Sequence, residues 1–327
     1  MFFVMMLVLM IAFVIAVYCL YTYVFCNPVK KRPDVYDIPE SNLYKTYRNR
    51  MSEAIEDMEK MPYEDVSIVS LDGYRLYGKL YIIKADAPLM IFFHGYHGVA
   101  EWDGYGFFKI CRRKGLNILM VDERAHGKSE GNSITFGIKE RYDCKLWTEY
   151  VVRRFGKEQD IILGGVSMGA VTVMMSAELG LPENVKAILS DCGYSEPAAI
   201  IKETIRKMKL PVKPIYFLVK MGARIFGDFN LEETTTVKAI GEVQIPTLFI
   251  HGKQDSIVPV SMCKELYESC GAKKECILIE GADHANSAMT DYETYEKAVM
   301  GFISTKTTAK MSKDAKILAC HILAENI

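Results

Sequence analysis

The sequence predicts an α/β fold in which helices cover a mostly parallel, doubly wound sheet. Short apolar runs alternate with amphipathic segments along most of the 327-residue chain, and such runs are typical of strands buried on both faces. Because such sheets bind ligands beyond the carboxyl ends of their strands, a functional site is expected at that edge. The apolar runs are residues 89–93, 116–121, 161–163, 187–189, 247–250 and 277–279. Helical patterns lie near residues 103–114, 138–155, 168–180, 260–271 and 291–304.

A hairpin precedes the alternating part of the chain, and a longer insertion interrupts it. Residues 66–70 and 75–83 have the pattern of two strands joined at Asp72-Gly73, a typical hairpin turn. The insertion separates the fourth and fifth apolar runs, and its residues 196–230 are helical in pattern and rich in apolar side chains. We interpret it as a small helical cap over the edge of the sheet; an ordinary pair of packing helices is the alternative.

The first 26 residues carry no charged side chain, although 25% of the whole chain is charged. Residues 2–25 are apolar apart from Thr22, and at about 1.5 Å per residue they make a helix of about 36 Å, enough to cross a hydrocarbon core of about 30 Å. A cleaved signal peptide is disfavoured because a basic start and a small-residue cleavage site are missing. A buried core helix is disfavoured because such helices rarely run this long without charge. The sequence therefore predicts a single-pass membrane anchor over residues 1–26.

The segment after the anchor predicts both the orientation of the protein and the connection to its body. The basic triplet Lys30-Lys31-Arg32 follows the anchor, and the excess of positive charge on cytoplasmic flanks places the body on the cytoplasmic side. Three prolines predict a linker over residues 27–40. Apolar side chains at helical spacing predict an amphipathic helix over residues 41–61 that packs on the body or, alternatively, lies on the membrane surface.

The composition excludes several classes of protein. Lys and Arg number 40 and Asp and Glu number 41, so the basic excess of a nucleic-acid-binding protein is missing. A hydrophobic fraction of 50% argues against a disordered chain. The nine cysteines are odd in number and show no C-x-x-C spacing, which argues against a disulfide framework or a zinc site.

Gly165-Val166-Ser167-Met168-Gly169 is the strongest chemical signal in the chain. It follows a predicted strand and opens a predicted helix, as a nucleophilic serine on a sharp strand-to-helix turn does. The flanking glycines allow the neighbouring backbone to approach closely. The N-terminus of the following helix offers N–H groups to a developing negative charge.

A serine nucleophile needs a base and an acid that orients the base, and both are expected at the same edge of the sheet. Asp255 follows the apolar run 247–250, and His284 follows the run 277–279. The chain order Ser, Asp, His is the order expected in this architecture. Taken singly, Asp255 could cap the next helix and a lone histidine is usually structural; together with Ser167 they predict a catalytic triad.

Several other residues near the strand ends were candidates for chemistry. The N–H groups of Tyr96, in His94-Gly95-Tyr96-His97-Gly98, and of Met168 are predicted to form an oxyanion hole. Metal binding by His94 and His97 is disfavoured because no further ligand cluster is near in sequence. Asp283 cannot easily reach the ring of its neighbour His284 and is not expected to be the acid. Cys192 could line the pocket, but no strand-to-helix turn marks it as a nucleophile. His126 is expected to find its hydrogen-bond partners within the structural loop 122–129.

Together these residues resemble the α/β-hydrolase superfamily over about residues 62–305, and most closely its membrane-anchored bacterial S33-like, or Bem46-like, hydrolases. The resemblance implies an α/β-hydrolase fold, a nucleophile Ser167, an acid Asp255, a base His284, and oxyanion donors at Tyr96 and Met168. The tail, residues 306–327, lies outside it and could pack on the body, touch anionic lipid or fray. The matching stretches are residues 94–96, 122–129, 165–170, 190–194, 251–255 with 258–259, and 281–285.

The expected function is hydrolysis of a carboxylic ester through an acyl-enzyme, with no cofactor and no metal. The apolar cap and the anchor suggest a small-molecule ester with an apolar acyl group, such as a lipid-derived ester, as the substrate. Amide or peptide cleavage and acyl transfer to an alcohol are alternatives with the same triad, and a membrane-tethered binding protein with a silent site is the non-enzyme alternative. Substrate-binding residues and the oligomeric state are not indicated by the sequence.

Overall fold

We analysed a computed structural model of the chain, which describes residues 1–27, 34–38, 40 and 42–306. Three of the sequence predictions fall outside these residues. They concern the basic triplet Lys30-Lys31-Arg32, the start of the amphipathic helix at Ser41, and the tail beyond residue 306. The side of the membrane on which the body lies, which depends on that triplet, stays a prediction.

Eight strands of the described residues form one sheet in the order β1-β2-β4-β3-β5-β6-β7-β8. The strands β1 and β2 are antiparallel to their neighbours, and the six from β3 to β8 are mutually parallel. The prediction of a mostly parallel, doubly wound sheet is confirmed. The strands are β1 (Glu64–Val69), β2 (Arg75–Tyr81), β3 (Leu89–Phe93), β4 (Asn117–Val121), β5 (Ile161–Val166), β6 (Val185–Asp191), β7 (Thr247–Gly252) and β8 (Lys274–Ile279).

Helices cover both faces of this sheet, and one long helix precedes it. The helices are α1 (Phe2–Phe25), α2 (Asn42–Lys45), α3 (Arg48–Glu59), α4 (Ala100–Asp103), α5 (Tyr105–Lys114), α6 (Glu140–Phe155), α7 (Met168–Ser176), α8 (Pro197–Lys207), α9 (Val212–Phe226), α10 (Thr236–Gly241), α11 (Val260–Ser269), α12 (Ser287–Thr290) and α13 (Tyr292–Ser304).

Strand β8 departs from the predicted burial pattern. The run 277–279 was expected to be buried on both faces, but β8 pairs only with β7 at the edge of the sheet. Glu275 and Cys276 are exposed, and only Ile279 is fully buried. The expected burial is reached only in part in this strand, since Ile277 and Leu278 pack against the core but are only partly buried. A short apolar run does not reveal whether a strand has one neighbour or two.

The predicted amphipathic helix over residues 41–61 is broken in two. A turn at residues 46–47 separates α2 from α3. Met51, Ile55 and Met58 on α3 are buried against the body. The segment therefore packs on the body, as expected, but as two shorter helices.

Helices α8 and α9 occupy the insertion predicted to be a cap. They pack on each other, and α9 also packs along α1. At the end of α8, the Lys207 Nζ donates to the carbonyl oxygens of Ser256 and Ile257 at 2.6 and 2.8 Å. This contact ties the helix pair to the loop that carries Asp255, and the pair therefore lies above the carboxyl edge of the sheet.

Helix α1 is long and apolar enough to cross a membrane, although a signal sequence near an N-terminus has the same character. Its first 15 residues are exposed, whereas Val17, Tyr21 and Phe25 are buried in the body. The Tyr21 hydroxyl is hydrogen-bonded to Ser133 Oγ at 2.6 Å. A Cβ on Gly222 of α9 would lie 2.9 Å from the Tyr21 Cβ, so glycine permits the close approach of the two helices.

The end of α1 is completed by groups of the body. The Ile134 N–H donates to the Phe25 carbonyl at 2.7 Å, which satisfies one of the carbonyls left open at a helix C-terminus. The Phe25 ring is fully buried and meets Phe136 and Phe229 edge-on, at centroid distances of 5.9 and 5.1 Å. The last two turns of α1 are thus part of the body's hydrophobic core.

We expect Phe25→Ala to lower the free energy of unfolding by about 3–5 kcal/mol, because it removes a fully buried ring from the core. Thermal or denaturant unfolding of the full chain in detergent measures this change. Phe13→Ala is the matched control, since Phe13 lies on the exposed part of the same helix. Equal losses in the two variants would contradict the packing of the helix end in the core.

Candidate active site

Ser167 lies on a strained turn between β5 and α7. Its φ and ψ are 53° and −113°, a conformation that side chains other than glycine rarely adopt. The Ser167 N–H donates to the Asp191 carbonyl at the end of β6, at 2.8 Å. A Cβ on Gly169 would lie 2.0 Å from the Phe93 carbonyl oxygen, and one on Gly165 would lie 2.3 Å from Gly169. Both glycines are therefore required for the turn to form.

His284 connects Ser167 to Asp255. Its Nε2 lies 2.9 Å from Ser167 Oγ, and its Nδ1 lies 2.8 Å from Asp255 Oδ2. Because the carboxylate accepts, Nδ1 carries the ring proton and Nε2 is left to accept the serine proton. The structure thus brings together the three residues predicted as a triad, each from the loop after a different strand.

The environment of Asp255 keeps its carboxyl group ionised. Burial raises its pKa, but hydrogen bonds from His251 and His284 outweigh this effect and hold the pKa below its ordinary value. The other oxygen, Oδ1, accepts the N–H groups of Ile257 and Val258 at 2.9 and 2.7 Å. The ionised carboxylate stabilises the fold above its unfolded pKa of about 3.9, and this contribution is lost as the pH falls through the lower folded value.

His251 is a second histidine on Asp255 that sequence reasoning did not single out. Its Nε2 donates to the Val258 carbonyl at 2.9 Å and lies 3.3 Å from Asp255 Oδ2. Burial lowers the pKa of His251, but the hydrogen bond and charge of Asp255 outweigh it, and the net pKa is raised. His251 and His284 therefore face the same oxygen of the carboxylate, Oδ2. The position of His251 at the end of β7 was the only sequence signal for this contact.

The loop after β3 brings the predicted oxyanion donor close to Ser167. The Gly95 N–H donates to Asp103 Oδ2 at 2.7 Å, and a Cβ on Gly95 would lie 3.4 Å from the Ser167 Cβ. Within the described residues, the N–H groups of Tyr96 and Met168 have no backbone hydrogen-bond partner. Asp103 is half-buried, and nothing in the sequence marked it as the group that holds this loop.

The Tyr96 side chain links the same loop to α1. Its hydroxyl donates to the Val24 carbonyl in the last turn of α1, at 2.9 Å. The ring stacks on His97 and Phe136, with centroids 3.9 and 5.1 Å away. The predicted oxyanion loop and the end of the apolar helix are therefore in direct contact.

Hydrogen bonds of His94 to the backbone disfavour the alternative of a metal site at His94 and His97. His94 Nδ1 lies 2.8 Å from the Gly95 carbonyl, and His94 Nε2 accepts the Glu123 N–H at 3.1 Å. Both ring nitrogens are thus used by the backbone. His126 is likewise held within its loop, because its Nε2 accepts the His97 N–H and its Nδ1 lies 2.8 Å from the Arg124 carbonyl.

Cys192, Asp255 and His284 form a cluster whose potential metal ligands lie within 4.8 Å of one another. Burial raises the pKa of the Cys192 thiol well above its ordinary value, so the thiolate that a metal needs is disfavoured. Both nitrogens of His284 already face Ser167 and Asp255. These groups suit proton transfer better than metal binding.

Asp283, the other carboxylate beside His284, accepts hydrogen bonds from backbone N–H groups. It accepts the N–H groups of Ser256 and His284, each at 2.7 Å. The expectation that Asp255, not Asp283, faces the imidazole agrees with this geometry. The loop 122–129 also has structural contacts, since the Arg124 guanidinium pairs with Asp143 at 2.6 Å.

The structure contains a groove of about 590 Å³ between α3, α5 and α12 that lies apart from Ser167. None of the three triad residues lines it. Because the groove contains no part of the hydrogen-bonded chain of Ser167, His284 and Asp255, the site is assigned from the geometry around Ser167. The groove is lined in part by Arg50, Met58, Phe108, Arg113, Met289 and Tyr292.

Two family models match the part of the chain that carries these residues. A model of the α/β-hydrolase fold matches residues 88–212. The chain therefore has the α/β-hydrolase fold. A serine hydrolase model matches residues 164–285, a range that includes Ser167, Asp255 and His284. The protein is thus a hydrolase of the serine-hydrolase, esterase-like type. The finer prediction of an S33-like, membrane-anchored subgroup stays a prediction.

Two individual proteins and one solved structure illustrate what this chain is similar to. The uncharacterized protein YqkD of Bacillus subtilis is 26% identical over 278 residues, which cover 84% of this chain and 88% of YqkD. The lysophosphatidylserine lipase ABHD12 of Danio rerio is 22% identical over 202 residues, covering 58% of this chain and 49% of that protein. The structure of the esterase Pf2001 of Pyrococcus furiosus matches with a TM-score of 0.61 and 22% identity, covering 77% of this chain and 95% of Pf2001. That likeness shows the shared fold.

We expect Asp255→Asn to lower kcat by about 10⁴-fold, because an amide no longer fixes the imidazole tautomer or stabilises its protonated form. Steady-state hydrolysis of an activated ester measures the loss. Asp283→Asn is the matched control and should keep most of the activity, since its carboxylate faces the backbone. The opposite order of effects would contradict the assignment of Asp255 as the partner of His284.

Proposed function

We propose that this hydrolase cleaves carboxylic esters through an acyl-enzyme formed on Ser167. The observation that carries the proposal is the continuous chain of hydrogen bonds from Ser167 through His284 to Asp255, at 2.9 and 2.8 Å. The serine hydroxyl is activated when a neighbouring base accepts its proton. The strained turn supports the same role, since it holds the hydroxyl at the carboxyl edge of the sheet, where ligands of this fold bind.

In the acylation step, Ser167 Oγ attacks the ester carbonyl while His284 Nε2 accepts the hydroxyl proton. Asp255 stabilises the imidazolium that forms and stays ionised throughout. The C–O bond to the alcohol then breaks, and His284 gives its proton to the leaving oxygen. In deacylation, water loses its proton to His284 and attacks the acyl-enzyme, which releases the acid and restores Ser167.

The N–H groups of Met168 and Tyr96 would stabilise the oxyanion in both steps. The first opens α7 beside the nucleophile, and the second lies in the loop next to Ser167. Each such donor typically contributes about 3–4 kcal/mol in the transition state. The contact of Asp103 with the Gly95 N–H keeps this loop in place before substrate arrives.

An apolar acyl group is the substrate class that the surroundings support. The apolar helix α1 packs along α9, and its last turn contacts the loop next to Ser167 through Tyr96. The Danio rerio relative is named as a lipase, which agrees with a lipid-derived ester. A membrane helix that reaches the edge of the site would also bring the enzyme to substrates of low solubility.

A panel of p-nitrophenyl esters from acetate to palmitate, with matched p-nitroanilides, tests the proposal on the full chain in detergent. We expect ester hydrolysis with a higher kcat/KM for medium or long acyl chains than for acetate. Ser167→Ala is expected to lower kcat by about 10⁴-fold or more, because the acyl-enzyme can no longer form.

Each alternative outcome would overturn a stated part of the proposal. Hydrolysis of acetate without any activity on longer chains would remove the apolar substrate class. Anilide cleavage with a kcat/KM equal to that of the ester would favour an amide hydrolase. Ester hydrolysis that survives in Ser167→Ala would exclude Ser167 as the nucleophile.

A further inference from the structure

The outer face of the cap exposes a group of large apolar side chains. Phe217 and Ile225 of α9 are 57% and 61% exposed. Single exposed apolar residues are ordinary on a protein surface, but a cluster on one small element indicates a contact surface. Three further members lie on or next to the same helices, Met208, Leu210 and Phe226, and are 48%, 41% and 36% exposed.

The charges of the same segment are of one sign. Between residues 207 and 226 the chain carries no Asp or Glu. Lys207 is bonded to carbonyls of the Asp255 loop and Lys220 to Glu232. The exposed basic residues that remain are Lys209, Lys213 and Arg224. Exposed apolar side chains interspersed with Lys and Arg are the composition of helices that lie in a membrane interface. Such basic residues are attracted to anionic lipid headgroups.

The position of this face beside α1 also indicates a membrane interface. The Phe226 ring lies 5.1 Å from the Tyr18 ring and 5.7 Å from the Tyr21 ring of α1. Tyrosines concentrated at one end of an apolar helix are typical of a membrane–water interface. The apolar face of the cap is thus continuous with the part of α1 where an interface is expected.

The exposed part of α1 ends beside the cap. The residues exposed on all sides run up to Ala16, and the next turn carries Val17 and Tyr21, which are buried against the body. A bilayer that reaches Tyr21 also reaches Gly222 and Phe226, which contact Tyr21.

Retention of α1 in the folded protein supports this arrangement. A cleaved leader would take away Phe25, a fully buried core side chain. Its removal would also leave the Ile134 N–H and the Tyr96 hydroxyl without the carbonyls of Phe25 and Val24 that they bond.

We propose that the apolar and basic outer face of the cap, residues 207–226, lies in the headgroup region of the same bilayer that α1 enters. The protein would then contact the membrane twice, through α1 and through the cap. This contact does not depend on the catalytic chemistry. Its consequence is that the cap above the carboxyl edge of the sheet rests on the lipid surface.

Fluorescence quenching by brominated lipids tests the contact with little background. Both natural tryptophans, Trp102 and Trp147, are buried in the body. A third tryptophan introduced as Phe217→Trp reports its own surroundings when the full chain is reconstituted into vesicles of phosphatidylcholine and phosphatidylglycerol. The matched control is Ile82→Trp, because Ile82 is 48% exposed at the opposite edge of the sheet.

We expect brominated lipid to remove most of the added emission of Phe217→Trp, with a blue-shifted maximum, and to leave that of Ile82→Trp nearly unchanged. Ile225→Trp should behave like Phe217→Trp. This second variant keeps the test decisive if Phe217→Trp fails to fold. Equal quenching at residues 217 and 82 would overturn the proposal. A blue shift without quenching that grows with the protein-to-lipid ratio would overturn it in favour of a second copy of the chain as the occupant.

Discussion

The turn at Ser167 is the constraint on which the rest of the site depends. A positive φ at a serine persists only if the surrounding structure holds it. Here Gly169 lies directly against the Phe93 carbonyl, so the start of α7 is packed on the end of β3. That close approach sets the nucleophile beside the loop that carries Gly95 and Tyr96. The close packing that Gly165 and Gly169 permit thus sets the distance between the Ser167 hydroxyl and its proposed oxyanion donors.

The end of α1, the helix predicted as a membrane anchor, is part of the body. Phe25 fills the core, and the Val24 carbonyl accepts from Tyr96, whose N–H is a proposed oxyanion donor. A purely tethering helix would need neither contact. The packing of α1 on α9 further connects the helix to the cap. The end of α1, helix α9 and the loop that carries Tyr96 are therefore in direct contact rather than separate modules.

The fold and the predicted triad could be read from the sequence because both depend on local patterns. Apolar runs located the strands, and Ser167, Asp255 and His284 each follow a strand end, which a parallel sheet gathers at one edge. His251 and Asp103 were not found, because a contact between distant residues leaves no periodic signal. For the same reason an apolar helix predicted as an anchor did not reveal that Phe25 is a core residue. The partial exposure of β8 goes with its position at the edge of the sheet, which composition does not encode.

The site of covalent modification by a fluorophosphonate tests the central claim most directly. The account predicts one adduct, in the tryptic peptide 158–186, with fragment ions that place it on Ser167 and not on Ser176. Ser176 is the internal control, because it is fully buried on α7. An adduct on any other residue, or a protein that stays unmodified while a known serine hydrolase in the same detergent reacts, would contradict the account.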